Sequence, residues 1–224
     1  MLQAVYQRFA GSCMMLMRRG EEEATFCGTA FLVHDDGYLL SASACTGGED
    51  NLVAVPYYPS NDFTDLTHEE VSPIPVQVLR TDPKRGIALL RFVPEMDISV
   101  PDHVLGKAGR SEVGASVMGL GFSFGHNRLH NLVALHSTLC SKIETPSGNR
   151  LILFDAIVHD GDYGGPLVDA HDARIIGIIL GTFDPVEVWR DEHPRSVSVT
   201  PSLSYACSIE YGIELLEAEE VEVV

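Results

Sequence analysis

The sequence predicts an all-β fold: two packed six-stranded antiparallel β-barrels with a short helix at either end. Three observations predict it. Short apolar runs rich in β-branched residues recur along the 224 residues, each bounded by turn-forming residues. The runs fall into two groups of six. A stretch bearing proline and charge, Val93–Ser111, parts the groups as a linker. One domain over residues 1–224 follows, with an N-terminal barrel at about 10–95 and a C-terminal barrel at about 110–210.

In chain order, a helix over Leu2–Phe9 leads into strands at Cys13–Met17, Thr25–Val33, Tyr38–Ala42, Leu52–Pro56, Ile74–Arg80 and Ile87–Phe92. The second group is Ser116–Leu120, Leu132–Leu139, Leu151–Val158, Pro166–Asp169, Arg174–Leu180 and Leu203–Ile209. A closing helix is expected over Ile209–Ala218, followed by an acidic tail, 217–224, that should fray. Asp35-Asp36-Gly37 and Pro146-Ser147-Gly148 each supply the glycine that a tight hairpin needs at positive φ. No internal repeat is evident.

Composition narrows the function. With 45% apolar and 21% charged residues the chain can bury an ordinary core. No window approaches the run of about 18 apolar residues that spans a bilayer. Met1–Arg19 carries arginines and no acid, as a mitochondrial-type presequence does, yet Ser12–Arg19 reads as the first strand and cleavage would delete it. The net charge of −17 repels phosphate backbones, and no basic cluster overrides it, so neither nucleic acid nor membrane is an expected partner. Five cysteines, Cys13, Cys27, Cys45, Cys140 and Cys207, form no CxxC pair, and a reducing compartment such as the cytoplasm is expected.

The most specific string is Gly161-Asp162-Tyr163-Gly164-Gly165-Pro166-Leu167-Val168. A tight glycine-rich turn of this kind exposes one side chain and aims successive backbone N–H groups at one point, the construction of a nucleophile with its oxyanion hole. The string resembles the GDSGGP loop of trypsin-like and HtrA-like serine proteases, with Tyr163 at the serine. Gly28-Thr29-Ala30-Phe31-Leu32-Val33 and Asp36-Gly37-Tyr38-Leu39-Leu40 look like the strand pair leading to that family's catalytic histidine. Ser41-Ala42-Ser43-Ala44-Cys45 then puts Ala44 where the histidine belongs. Thr81-Asp82-Pro83-Lys84-Arg85-Gly86-Ile87-Ala88-Leu89-Leu90-Arg91 is similar to the DPxxDLALLK segment, with Gly86 at the aspartate.

The resemblance therefore implies a trypsin-like fold with a degenerate triad. Ala44 takes no proton, Gly86 orients nothing, and a phenol of ordinary pKa about 10 is neutral at pH 7. Loss of triad members costs such enzymes roughly four to six orders of magnitude in rate. A pseudoprotease that binds a protein or peptide, scaffolds, or regulates a partner is the expectation. The N–H groups around Gly161 and Tyr163 would form an anion-binding nest, and Ile179-Leu180-Gly181 corresponds to the family's substrate-pairing strand; a cleft plugged by Tyr163 is the alternative. Asp162 stands where trypsin-type enzymes carry the acid that pairs with a new N-terminus. Ser43 and Cys45 should point away from Ala44 by strand alternation, and His159 should lie along the specificity-pocket wall. The resemblance also places Cys27 near Cys45, a pair that is bridged in secreted members.

Two rival functions remain. One is a hydrolase with a non-standard nucleophile, Tyr163 or Cys45. The other is a metal-binding domain: His126 and His130 would share a face if helical, with His136 nearby, although no carboxylate or cysteine sits at a ligand spacing. His34-Asp35-Asp36 reads as a hairpin turn rather than a cation site, and no cofactor is expected. The terminal Val224 carboxylate has the character of a PDZ ligand.

Overall fold

The computed structural model describes residues 1–21, 23–47, 51–67, 72–101, 104–184 and 203–222. Strands β1 (Cys13–Arg19), β2 (Ala24–His34), β3 (Tyr38–Ala42), β4 (Leu52–Pro56), β5 (Ile74–Asp82) and β6 (Ile87–Phe92) close one barrel in the order β1-β2-β3-β6-β5-β4. Strands β7 (Ser116–Gly121), β8 (Val133–Glu144), β9 (Arg150–Phe154), β10 (Pro166–Asp169), β11 (Arg174–Thr182) and β12 (Ser204–Ser208) close the other in the order β7-β8-β9-β12-β11-β10. Renumbered from its own first strand, the second barrel repeats the order of the first. Topology repeats where the sequence does not.

Closure leaves no edge strand in either barrel. It also explains why the strand segments read as nearly continuous apolar runs rather than alternating ones. Neighbouring residues face different cores, and both cores are dry. Met14, Leu16, Leu39 and Leu90 pack in one cluster, while Met15, Leu40 and Leu89, adjacent to them in sequence, pack in another. That second cluster joins the barrels, since it also holds Leu120, Phe122 and Ile178 from the C-terminal barrel and Phe9 and Leu216 from the helices. A third, built on Leu139, Ile152, Leu167 and Ile179, belongs to the C-terminal barrel. The helices α1 (Leu2–Phe9) and α2 (Glu210–Glu217) flank the strands as expected.

Four local readings change. Ser43–Thr46 is a 3-10 turn rather than a continuation of β3. Strand β8 runs on to Glu144 because a bulge after Leu139 lets Ser141–Glu144 pair with β9, and β9 ends at Phe154, where the chain turns. The linker carries a strap of sheet: Ile175 N–H donates to Val104 O and Gly106 N–H to Ile175 O, both at 2.8 Å. The acidic tail is anchored over its described part, with Arg80 paired to Glu219 at 2.5 Å and Val221 buried against the core. Val224 lies outside the described residues. Among the described residues no helix is long and apolar enough to cross a membrane.

Candidate functional site

The three positions singled out in the sequence, Ala44, Gly86 and Tyr163, lie around the seam between the barrels. Ala44 sits in the 3-10 turn after β3, exposed; Gly86 closes the turn from β5 to β6; Tyr163 follows the 3-10 turn Asp160–Asp162 ahead of β10. Ser43 N–H donates to Gly86 O at 2.9 Å, tying the first two together. Tyr163 O accepts from Thr29 N–H at 2.9 Å and from the Cys45 thiol at 3.4 Å, tying the third to the same wall. Gly86 has φ +75°, the left-handed region that glycine enters freely, and an added Cβ would find Leu180 at 3.4 Å.

The loop from Gly161 to Gly165 is fixed through its backbone. A Cβ on Gly161 would lie 2.0 Å from Phe122 O, on Gly164 2.2 Å from Thr29 O, and on Gly165 2.1 Å from Leu120 O. Thr29 threads this packing: its hydroxyl donates to Gly161 O at 2.7 Å and accepts from Phe122 N–H at 3.1 Å. Gly164 N–H donates to Ile179 O and Ile179 N–H returns to Gly165 O, so Ile179 is buried in the C-terminal core and serves the loop rather than solvent.

Asp162 is fully buried. Its carboxylate accepts from Ser123 Oγ at 2.6 Å and from His159 N–H at 2.8 Å, and burial is the main reason its carboxyl is pushed above the usual range. His159 itself is exposed, with its ring 4.6 Å from that of Phe124. Tyr163 N–H donates to Asp160 O at 3.3 Å, closing the 3-10 turn. One of the two donors expected to form an anion nest is thus occupied by the chain's own carbonyl, which corrects that expectation.

The Tyr163 ring is half-buried and packs against both the N-terminal and C-terminal cores. It lies over Gly181, whose added Cβ would meet the phenol carbon and oxygen at 3.3 Å. Burial pushes the phenol up to about 12, helped by the Asp160 carboxylate that hydrogen-bonds it. Sequence reasoning missed Asp160, since only the turned loop brings it to the ring. It also missed a hollow of about 360 Å³ beside Gly86, lined by Lys84, Asn149, Leu180, Phe183 and Tyr205 among others. The signal was available in the glycine at position 86, which leaves no side chain to fill the space.

The remaining candidates resolve simply. Strand alternation does not govern Ser43 and Cys45, because that segment is a 3-10 turn. Cys45 is buried against Gly28 and Tyr163 O with its thiol pushed up to about 12 by burial, and half-buried Cys27 packs on the same cluster; both are free thiols. The three histidines do not share a helix face. His126 is in a 3-10 turn that Arg128 ends at φ +61°, with its ring edge-on to Phe26; His130 N–H bonds to Leu66 O; His136 is on β8 and bonds Ser116 Oγ at 2.7 Å. Among the described residues no three His, Cys, Asp or Glu groups are placed to hold a metal ion. In the hairpin turn, His34 Nδ1 accepts from Asp36 N–H and Asp35 from Val100 N–H.

Comparison with known proteins fits this architecture. A family model described as trypsin-like peptidase domain matches residues 28–178. A probable periplasmic DegP-like serine endoprotease of Hahella chejuensis is 27% identical over 169 residues, covering 72% of this chain and 31% of its own length. The magnetosome formation protease MamE of Magnetospirillum gryphiswaldense is 23% identical over 161 residues, covering 70% and 19%. The chain thus spans less than a third of these relatives. Among solved structures, the HtrA-type protease AlgW with a tripeptide superposes with a TM-score of 0.70 at 19% identity, covering 97% of this chain and 63% of AlgW. An inactive form of Rv3671c from M. tuberculosis gives 0.66 at 19%, covering 98% and 92%. At these identities the structural likeness speaks for the fold.

Proposed function

Because the chain belongs to the trypsin-like peptidase domain family and is similar to its HtrA-like members, we propose that it is a pseudoprotease that binds a protein or peptide partner without cutting it. Tyr163 carries this reading. At the nucleophile's place stands a neutral phenol folded over Gly181, and its N–H is bonded to Asp160 O. Acyl transfer needs a nucleophile beside a base and donors aimed at the developing oxyanion. Ala44 and Gly86 supply neither base nor orienting carboxylate.

Binding is supported by what remains open. The hollow beside Gly86 is lined by Leu180, Thr182, Phe183 and Asp184 at the end of β11, the strand that by resemblance corresponds to the family's substrate-pairing strand. The similar HtrA-type AlgW was solved with a tripeptide and with a decapeptide. Leu180, Phe183 and Tyr205 offer apolar contacts, and Lys84, Arg85, Asn149, Thr182 and Asp184 make the rest of the lining polar, a mixture that can hold both the side chains and the backbone of an extended segment. The free thiols suit a reducing compartment.

The test has two readouts on one preparation. A fluorophosphonate probe should leave the protein unlabelled, and a mixed-sequence decapeptide library read by fluorescence polarisation should yield binders that Phe183→Ala weakens at least tenfold. Labelling at Tyr163 or Cys45 would replace this reading with a non-standard hydrolase. A library without binders, or binders indifferent to Phe183→Ala, would remove the cleft as the binding surface.

A further inference from the structure

A second hollow, of about 310 Å³, shares no lining residue with the one beside Gly86. It lies where the linker strap crosses the start of β11 and meets α2. Its apolar surface comes from Leu105, Ile176 and Ile213. Lys107, Arg110 and Arg174 line it, and so do Asp169, Asp172 and Glu217. The chain carries 15 lysines and arginines against 32 acids, so three cations at one hollow is a concentration of scarce charge.

Pairing between exposed opposite charges gains only about 0–1 kcal/mol, so groups of both signs lining one hollow are free to meet a ligand instead. Here, among the described residues, none of the three cations is paired with a carboxylate. The Arg174 guanidinium is turned onto the linker, with one nitrogen 3.4 Å from Leu105 O. Lys107 and Arg110 sit three apart across a turn closed by Arg110 N–H and Lys107 O at 3.0 Å. Asp169 is buried and one of its oxygens accepts from His171 N–H, while Asp172 bonds the His171 ring. Gly106 lets the linker lie this close, for an added Cβ would stand 2.9 Å from Arg174 Cβ. The backbone that carries the groups is strapped in place, so the hollow persists between them.

We propose that this hollow binds a small zwitterion of the α-amino-acid class. Its carboxylate is met by Lys107, Arg110 and Arg174, its ammonium by Glu217 with Asp172 and Asp169, and its side chain by Ile176 and Ile213. An anion alone would leave the three acids facing a like charge, and a cation alone would do the same to the bases. Both charges on a short apolar body answer the charged groups of both signs and the apolar side chains of the lining.

The test titrates L-leucine, N-acetyl-leucine and leucinamide into the ¹⁵N-labelled protein and follows amide shifts. Leucine should shift Lys107–Ser111 and Ile213–Glu217 saturably, and each analogue, lacking one charge, should bind at least tenfold more weakly. Arg110→Ala should weaken leucine while leaving leucinamide unchanged, and Glu217→Gln should weaken leucine while leaving N-acetyl-leucine unchanged. Both side chains are exposed, so the fold survives either change. Absence of shifts up to about 20 mM, beyond the range of useful affinity, overturns the proposal. So does an analogue that binds as well as leucine, which would make the hollow a simple anion or cation site.

Discussion

On the C-terminal-barrel side of the seam, backbone meets backbone; on the N-terminal-barrel side, side chains are absent and nothing has closed over the gap. Each glycine of the loop, Gly161, Gly164 and Gly165, has a carbonyl oxygen within 2.2 Å of where a Cβ would go. A Cβ on Gly86 would meet only the Leu180 methyls, at 3.4 Å and beyond, and Ala44 is exposed. The difference teaches that the loop's shape is a packing requirement of the fold, whereas the positions of Ala44 and Gly86 carry no such requirement. On the pseudoprotease reading proposed above, side chains at 44 and 86 can change while the architecture around Tyr163 stays intact.

The sharpest way to break this contrast is to load the tight side. Gly161→Ala should destabilise by about 3 kcal/mol or more, since the clash is with the Phe122 carbonyl and backbone must move. For a chain of this size that is a fall of roughly 6–12 °C in Tm, read by calorimetry. A fall under about 2 °C would mean the loop yields, and the contrast between the two walls would go with it.

Asp162 tests the same wall through pH. Burial raises its carboxyl pKa, so between the unfolded value, about 3.9, and the raised folded value the native state binds the extra proton. Stability supplied by this group therefore falls as pH rises through that window, and is level below and above it. Asp162→Asn should flatten that segment. It should also cost about 1.5–3 kcal/mol at low ionic strength and neutral pH, because the charged acceptor of Ser123 Oγ and His159 N–H is gone. The check is the difference between the two denaturant midpoints across pH; a difference that rises with pH over the window has the wrong sign for a buried, raised carboxyl.

How much of this was legible in sequence follows from where the information sits. Strands β3, β4, β6 and β10 were readable to the residue, because continuous apolar runs ended at turn formers such as Asp36-Gly37. The run Leu151–Val158 overreached, since apolar Ile157 and Val158 continue past the chain's turn at Asp155. The 3-10 turn at Ser43–Thr46 was hidden because its residues read equally as strand. Motifs singled out Ala44, Gly86 and Tyr163, but nothing local in the sequence described their surroundings. The Asp160–Tyr163 contact, the hollow beside Gly86 and the linker strap at Leu105 and Ile175 all join residues far apart in the chain or differently turned, which no local pattern records.

A gentler probe loads the open side. Gly86→Asp restores a carboxylate at φ +75°, with Leu180 in ordinary contact at 3.4 Å, so the cost is mainly backbone strain of about 1–2 kcal/mol. That is a fall of roughly 2–8 °C in Tm. The new side chain would also project beside the hollow and should weaken any peptide held there. A loss as large as that of Gly161→Ala would show that the open wall is as constrained as the tight one.

The smallest expected effect is the most informative about chemistry. Ala44 is exposed, so Ala44→His should change stability by no more than about 0.5 kcal/mol. Combined with Tyr163→Ser it returns an imidazole and a hydroxyl to the seam. It does not return the oxyanion donor, because residue 163 keeps its N–H on Asp160 O as long as the 3-10 turn Asp160–Asp162 stands, and buried Asp162 bonding Ser123 and His159 holds that turn. Without that donor the developing charge loses a stabilisation of about 2.7–4 kcal/mol. The double variant should therefore remain unlabelled by a fluorophosphonate over hours. Rapid labelling would mean that the tyrosine ring, rather than the backbone beneath it, is what holds the loop in its closed turn.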